Sequence, residues 1–249
     1  MLRVRPTLHT PHVAQWARLL TALGLREMPV LPANLAAPGT VQRCFAADAG
    51  RILLQDSATL HVELVFEVRD LEKFAQWTID DGTPVTMLPA PHGDGTRAQA
   101  RITAPDGLSF TALAVDPLAT EGTPPDTAGA DGQLAVLALW NTPDVPGAQA
   151  TLANIGAKPD TFSNGGAWAQ YRAKHGGLVA AHPGQAPRVE LSLEYSGKLE
   201  ALAGPLPSAG FESQLVDEAY GRTLLVEHPD GGSLWINERQ RDLYGYTRH

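Results

Sequence analysis

Three short stretches occur twice in this 249-residue chain, in the same order, and an internal duplication of that kind limits the fold to a paired architecture. Thr10-Pro11-His12-Val13 returns as Thr142-Pro143-Asp144-Val145. Val62-Glu63-Leu64-Val65-Phe66-Glu67 returns as Val189-Glu190-Leu191-Ser192-Leu193-Glu194, and Pro105-Asp106-Gly107 as Pro229-Asp230-Gly231. The offsets drift only from 132 through 127 to 124 residues. Between the halves, the Pro- and Gly-rich stretch Pro117–Gly132 holds no aromatic residue and reads as a linker. This predicts one domain over residues 1–118, a linker over 119–132 and a second domain over 133–249.

Each half divides again. An interval of 12 residues runs from His12 to Gly24, from Asp70 to Gly82 and from Asp144 to Gly156. In the first interval Val13, Trp16, Leu19, Leu20 and Leu23 recur at helical spacing, and the glycine supplies a stop. Helices are therefore expected over His12–Leu23, Leu71–Asp80 and Val145–Ile155, with a poorer copy over Gly197–Gly210 that Pro205 and Pro207 interrupt. Alternating runs follow, in the second module over Pro84–Pro89, Thr96–Ala104 and Leu108–Val115. His92-Gly93-Asp94-Gly95 and Asp106-Gly107 are hairpin signals between them. The repeating unit is strand, helix, three strands, and four such modules fill the chain, over about 1–57, 58–118, 133–185 and 186–240.

Composition narrows the function classes. Nineteen basic against 27 acidic residues give a formal charge of −8 and a pI near 5.4, which repels phosphate backbones and argues against nucleic acid. The longest apolar runs, such as Leu134–Trp140, fall far short of the roughly 20 residues that span a bilayer, so no membrane partner is expected. The N-terminal MLRVRPTLHT lacks the apolar core of a secretory signal, and a cytoplasmic location is expected. A single cysteine, Cys44, excludes an intrachain disulfide and a multi-cysteine zinc site; its RCFAA context reads as a buried small hydrophobe. There is no nucleophile elbow, phosphate-binding loop or dinucleotide fingerprint.

Four βαβββ modules paired as two domains resemble the vicinal oxygen chelate superfamily, which includes glyoxalase I, bleomycin-resistance proteins and extradiol dioxygenases. The resemblance is carried by the strand-into-helix starts LHTPHVAQW, VELVFEVRDLEKFAQW and LWNTPDVPGAQ, by the two Pro-Asp-Gly turns, and by the closing HPDGGSLWINERQ. It covers the chain apart from the linker and the tail 241–249. It implies an α+β fold in which each pair of modules curls its sheet into a cup, with helices outside and a small-molecule ligand inside. One chain supplies all four modules, so a monomer and a homodimer both satisfy the fold.

Strand alternation assigns the faces independently. Val62, Leu64, Phe66 and Val68 form one apolar face, leaving Glu63, Val65 and Glu67 for the other. Val189, Leu191, Leu193 and Tyr195 likewise oppose Glu190, Ser192 and Glu194. On the first strand Arg3, Arg5, Thr7 and His9 oppose Val4, Pro6 and Leu8, and near the end of the half Arg97, Gln99, Arg101 and Thr103 share a face. The first cup thus combines carboxylates with arginines, either as mutual ion pairs or as a binding surface in which Arg5 and Arg101 offer donor forks, with Gln99 and Thr111 beside them. The second cup, expected to carry Trp140, Trp168, Tyr171 and Trp235 with Glu190 and Glu194, reads as an apolar pocket. Glu63 and Glu67, two apart on one face, could raise one another's pKa and give Glu63 the role of a general base.

The resemblance also implies divalent-metal ligands: one seven residues before each helix-start position and a glutamate after each Pro-Asp-Gly turn. Those positions hold Arg5, Glu63, Leu137, Thr111 and Trp235, of which only Glu63 is a donor for a metal. No metal cofactor is therefore expected. If one is held, the substitutes of suitable strand parity are His9, Gln55 and Glu63 in the first half and His182 and Glu190 in the second. The leading expectation is metal-independent binding of a small organic molecule, and the alternative is a metal-dependent lyase, isomerase or dioxygenase.

Overall fold

The computed structural model describes residues 1–30, 39–89, 99–115, 129–218 and 221–249. The expected hairpin at His92–Gly95, Arg97 and most of the expected linker fall outside these. The first module comprises β1 (Leu2–Val4), β2 (Thr7–Thr10), α1 (Val13–Ala22), β3 (Arg26–Met28), β4 (Gln42–Ala46) and β5 (Arg51–Asp56). The second comprises β6 (His61–Glu63), β7 (Val65–Val68), α2 (Leu71–Asp80), β8 (Val85–Leu88), β9 (Gln99–Thr103) and β10 (Ser109–Ala114). The third holds β11 (Leu134–Thr142), α3 (Val145–Asn154), β12 (Lys158–Ser163), β13 (Ala169–Arg172) and β14 (Leu178–Pro183). The fourth holds β15 (Arg188–Tyr195), the short α4 (Leu199–Ala203), β16 (Ser213–Glu218), β17 (Gly221–Glu227) and β18 (Ser233–Glu238), and the tail adds β19 (Tyr246–Arg248). The architecture is α+β, as the periodicity predicts.

The first three helices end alike because their stop glycines, Gly24, Gly82 and Gly156, sit at φ of 88°, 94° and 85°. That left-handed conformation carries no Cβ penalty only in glycine. The fourth copy has Pro205 and Pro207 where its helix would continue, so only five residues of α helix form before a 3₁₀ turn at Pro207–Ala209.

In the second domain the first strands of its two modules pair along their length, from Leu134 opposite Tyr195 to Asn141 opposite Arg188, within one nine-stranded sheet. The first domain has the same pairing, Leu2 opposite Val68 and Thr7 opposite Glu63, but it is interrupted around Arg5–Pro6 and Leu64 and becomes two five-stranded sheets. Pro6 lacks the N–H that its counterpart Ala138 contributes to the continuous strand. The tail strand β19 extends the second sheet by pairing with β12.

The apolar faces of the domains pack against one another. One core joins the second and third modules through Phe66, Phe74 and Phe110 with Trp140 and Leu152; another joins the first and fourth through Trp16, Phe45 and Leu54 with Leu193 and Ile236. The opposite faces of the sheets form the cups. Symmetric backbone bonds close the seam: Val136 N–H donates to Ala49 O (2.8 Å) and Val4 N–H to Gly176 O (3.0 Å). A Cβ on Gly177 would lie 2.5 Å from that of Val4, so this approach requires glycine.

The repeated motifs meet at the same seam. Thr142 Oγ1 and Trp140 Nε1 donate to Asp106 Oδ2 at 2.7 and 2.9 Å. Thr10 Oγ1 and Trp16 Nε1 donate to Asp230 Oδ2 at 2.8 and 2.5 Å. Each Pro-Asp-Gly aspartate is thus clasped by the Thr-Pro corner of the other domain, and each threonine hydroxyl also accepts the amide of the second residue beyond it.

Candidate functional site: two cups with different contents

Register makes the two cups comparable position by position. Arg3 pairs with Glu67 as Ala135 does with Glu194, and Thr7 pairs with Leu53 as Leu139 does with Ala180. Arg5, Arg51 and Glu67 consequently correspond to Leu137, Leu178 and Glu194.

In the first cup Glu67 is the centre of an ion cluster. Arg3 Nη1 and Arg51 Nη1 donate to its Oε2 at 3.0 and 2.9 Å, and Arg5 Nε lies 3.5 Å from Oε1. Arg5, Arg51 and Glu67 are each 1% exposed. Burial pushes the Arg5 guanidinium below its ordinary range, with Glu67 pulling the other way. Beside the cluster, Cys44, Met28, Ala46 and Leu53 form a small apolar group, and Cys44 is buried in it as a small hydrophobe, as its context predicts. Arg–Glu pairing is present in this cup, through Arg3 and Arg51 above all, while the buried Arg5 Nε and Nη1 make no hydrogen bond among the described residues. Gln99 and Thr111 are half-buried on the same sheet and Arg101 is exposed.

Further along the central strands lies a second polar group. His9 and His61 are direct partners across β2 and β6, their rings stacked at 4.0 Å and 7°. Glu63 Oε2 lies 3.3 Å from His9 Nε2. The polar contact with His9 holds the Glu63 carboxyl below its usual range, against the effect of burial. That direction is opposite to the one a general base at Glu63 needs, and Glu67, turned toward the arginines, does not raise it. Gln55 faces the same way from β5 but accepts from Gln42 Nε2 at 2.8 Å.

The second cup is open. A cavity of about 990 Å³ is walled by Leu137, Leu139, Trp168 and Trp235, with Gln170, Glu190 and Glu194 among its polar groups, and it reaches Leu60, His61 and Val62 of the first domain. Leu137, packed with Leu178 where the first cup has two arginines, makes its floor apolar. Gln170 Nε2 bridges two carboxylates, donating to Glu194 Oε2 and Asp160 Oδ2 at 3.0 Å each. Burial pushes the Glu194 carboxyl above the ordinary glutamate range, with the Gln170 bond and Arg239 opposing. Glu190, at the exposed end, accepts from Asn141 Nδ2 and Arg188 Nε at 3.0 Å. His182 is exposed and meets Trp168 edge-on. His182 and Glu190 belong to no three-donor metal group among the described residues.

Two aromatic residues expected in this cup lie elsewhere. Tyr171 is 5% exposed in the core against Phe162, and Trp140 is wholly buried against Phe110. On β13 it is Gln170, the neighbour of Tyr171, that has cup-face parity, so the aromatic drew attention from the polar residue beside it. Gln170, Asn141 and the tail residue Arg248 are among the cavity residues that the sequence reading did not single out; strand alternation through Trp168 would have found Gln170.

The metal positions implied by the resemblance do not fit an ion. In the second cup they hold Leu137 and Trp235, neither of which offers a donor for one, and in the first Arg5 and Thr111 flank the lone Glu63.

No protein-family model matches the sequence, and no curated protein does. Solved structures do. An extradiol ring-cleaving dioxygenase from B. fuscum superposes with a TM-score of 0.61 at 17% identity, over 96% of this chain and 72% of that one. The Mn(II)-bound glyoxalase from Novosphingobium aromaticivorans gives 0.60 at 13%, over 96% and 81%. The 2,3-dioxygenase LapB from Pseudomonas sp. KL28 gives 0.58 at 15%, over 97% and 92%. The chain has the two-domain fold of the vicinal oxygen chelate superfamily.

Proposed function

We propose that the protein binds a small, largely apolar organic molecule in the second cup, with no metal at the ligand positions that the fold's enzymes use. The observation that carries this reading is the pairing of a cavity of about 990 Å³ with Leu137 and Trp235 at those positions. Such a volume stands at the upper end of small-molecule sites, and an apolar wall with a few placed polar groups is their usual lining. Leu137, Leu139, Trp168 and Trp235 supply contact area, while the Gln170–Glu194 pair offers an oriented acceptor for one donor on the ligand. A carboxyl that burial pushes toward its neutral form also tolerates an uncharged partner. Sequestration or transport of a toxic or secondary metabolite suits this design.

Nile red, a neutral probe that Glu190 and Glu194 do not repel, tests the reading. Its fluorescence should rise with saturable binding, fall on addition of competing aromatic metabolites, and stay unchanged with EDTA. Trp235→Ala should weaken it about tenfold, a change of about 1.4 kcal/mol. Leu137→Arg, which installs the first cup's arginine, should abolish it. Saturable binding that survives Leu137→Arg, or that EDTA removes, would overturn the proposal.

A further inference from the structure

We propose that His9, His61 and Glu63 form a binding site for a divalent transition-metal ion at the end of the β2–β6 strand pair. The three residues each offer one donor atom, and those atoms all lie within 4.8 Å of one another. Two imidazoles and a carboxylate suit Zn²⁺, Ni²⁺ or Fe²⁺ rather than Mg²⁺ or Ca²⁺, which prefer oxygen ligands.

The strand pairing creates the group. His61 and Glu63 are two residues apart on β6 and so share a face, and His9 is the direct cross-strand partner of His61. At metal–donor distances of about 2.1 Å, tetrahedral donors stand about 3.4 Å apart. The 3.3 Å between His9 Nε2 and Glu63 Oε2 already meets that separation. Only the exposed His61 ring must turn out of its stack to bring the third donor in.

A second observation points to a ligand. His9 is 7% exposed, and its Nε2 is buried without a hydrogen-bond partner although Glu63 is adjacent. A buried ring nitrogen in that condition is rare, and an ion between it and the carboxylate would satisfy both. His61 Nδ1 lies 3.4 Å from Thr59 O, an orientation that leaves Nε2 for the ion and resembles the backbone bonds that commonly fix a ligating imidazole. Gln55, beside His9 on β5, is tied to Gln42 and lies outside the set. Three protein donors leave a coordination position open at the exposed side.

This site shares only Glu63 with the positions that the fold's metal enzymes use, and Arg5 stands where a further donor would be needed for the usual set. His61 also lines the cavity of the small-molecule reading, so the metal is titrated without any organic ligand present, and a failure to bind it leaves that reading untouched.

The test uses tag-free, full-length protein stripped with EDTA and dialysed, titrated with Zn²⁺ by calorimetry and with Co²⁺ by visible absorbance. Wild type should bind one equivalent. His61→Ala and Glu63→Gln should each weaken binding at least tenfold. Both side chains are exposed, so neither substitution empties the core, and circular dichroism checks the fold. His175→Ala, on an exposed turn, should bind as wild type does. No stoichiometric binding, or binding unchanged in both His61→Ala and Glu63→Gln, overturns the site, as does equal loss in His175→Ala.

Discussion

The two cups are built on one register and share a glutamate at the same position, yet Glu67 lies in a closed charged cluster and Glu194 in an open apolar bowl. Two exchanges make the difference. Arg5 and Arg51 surround Glu67, while Leu137 and Leu178 occupy the same places beside Glu194. A duplicated scaffold fixes where side chains point. Whether those side chains satisfy one another or leave room for a ligand is decided by a handful of residues.

The comparison is most sharply broken at the shared glutamate. Glu67→Gln removes the carboxylate on which Arg3, Arg5 and Arg51 converge and takes a counter-ion from the buried Arg5 guanidinium. Loss of one partner from a buried ion cluster destabilises by about 3–5 kcal/mol. Urea denaturation should register that loss as a lower midpoint at unchanged slope. Replacing Arg5, Arg51 and Glu67 together by Leu, Leu and Gln should regain most of it, because exchange of a buried ion group for apolar residues is often neutral. A triple variant less stable than Glu67→Gln alone would mean that the cluster itself, rather than its broken form, sets the stability.

A smaller effect should appear where the halves are alike. Asp106 and Asp230 each accept from a Trp indole and a Thr hydroxyl across the domain seam. Asp230→Ala takes the acceptor from two side-chain donors and Asp106→Ala from two side-chain donors and the Leu108 amide, a loss of about 1–3 kcal/mol in each case. Similar losses for the two variants, measured by thermal unfolding, would show that the clasps are energetically as well as geometrically duplicated. A large disparity would break that equivalence.

Those clasps explain why so much of the fold was legible. The Thr-Pro corners and the Pro-Asp-Gly turns, two of the three repeated motifs, are partners of each other, so the contact and the repetition have one cause. The stop glycines follow from a backbone requirement that a sequence displays directly, and the alternation of β7 and β15 assigns cup and core faces correctly. The contents of the site were legible only in part. Arg–Glu pairing in the first cup followed from charge and parity. Tyr171 and Trp140 were expected in the second because an aromatic residue has the same appearance in a core as in a pocket. His61 escaped the metal-donor set because its partnership with His9 depends on cross-strand register, which no local spacing encodes. The sheet break at Pro6 was visible as a proline and unread as an interruption.

The smallest expected effect is the most discriminating, since it reverses sign between the two cups. Burial raises the Glu194 carboxyl above the ordinary glutamate range of about 4.3, the value that applies when the chain is unfolded. The unfolded chain thus gives up its proton at lower pH than the folded one, and folding stability falls as pH rises through the elevated folded-state value. Below the unfolded value both states carry the proton and the contribution is fully present. Glu194→Gln mimics the protonated carboxyl, keeps an acceptor for Gln170, and removes this pH dependence. The variant should therefore match wild type near pH 4 and melt at a higher temperature than wild type at pH 8. The same Glu→Gln change thus stabilises at residue 194 and destabilises at residue 67. Melting curves for Glu194→Gln that fall below wild type at pH 8 would show that Arg239, 4.0 Å from Glu194, outweighs burial and that the second cup also holds its glutamate as an ion.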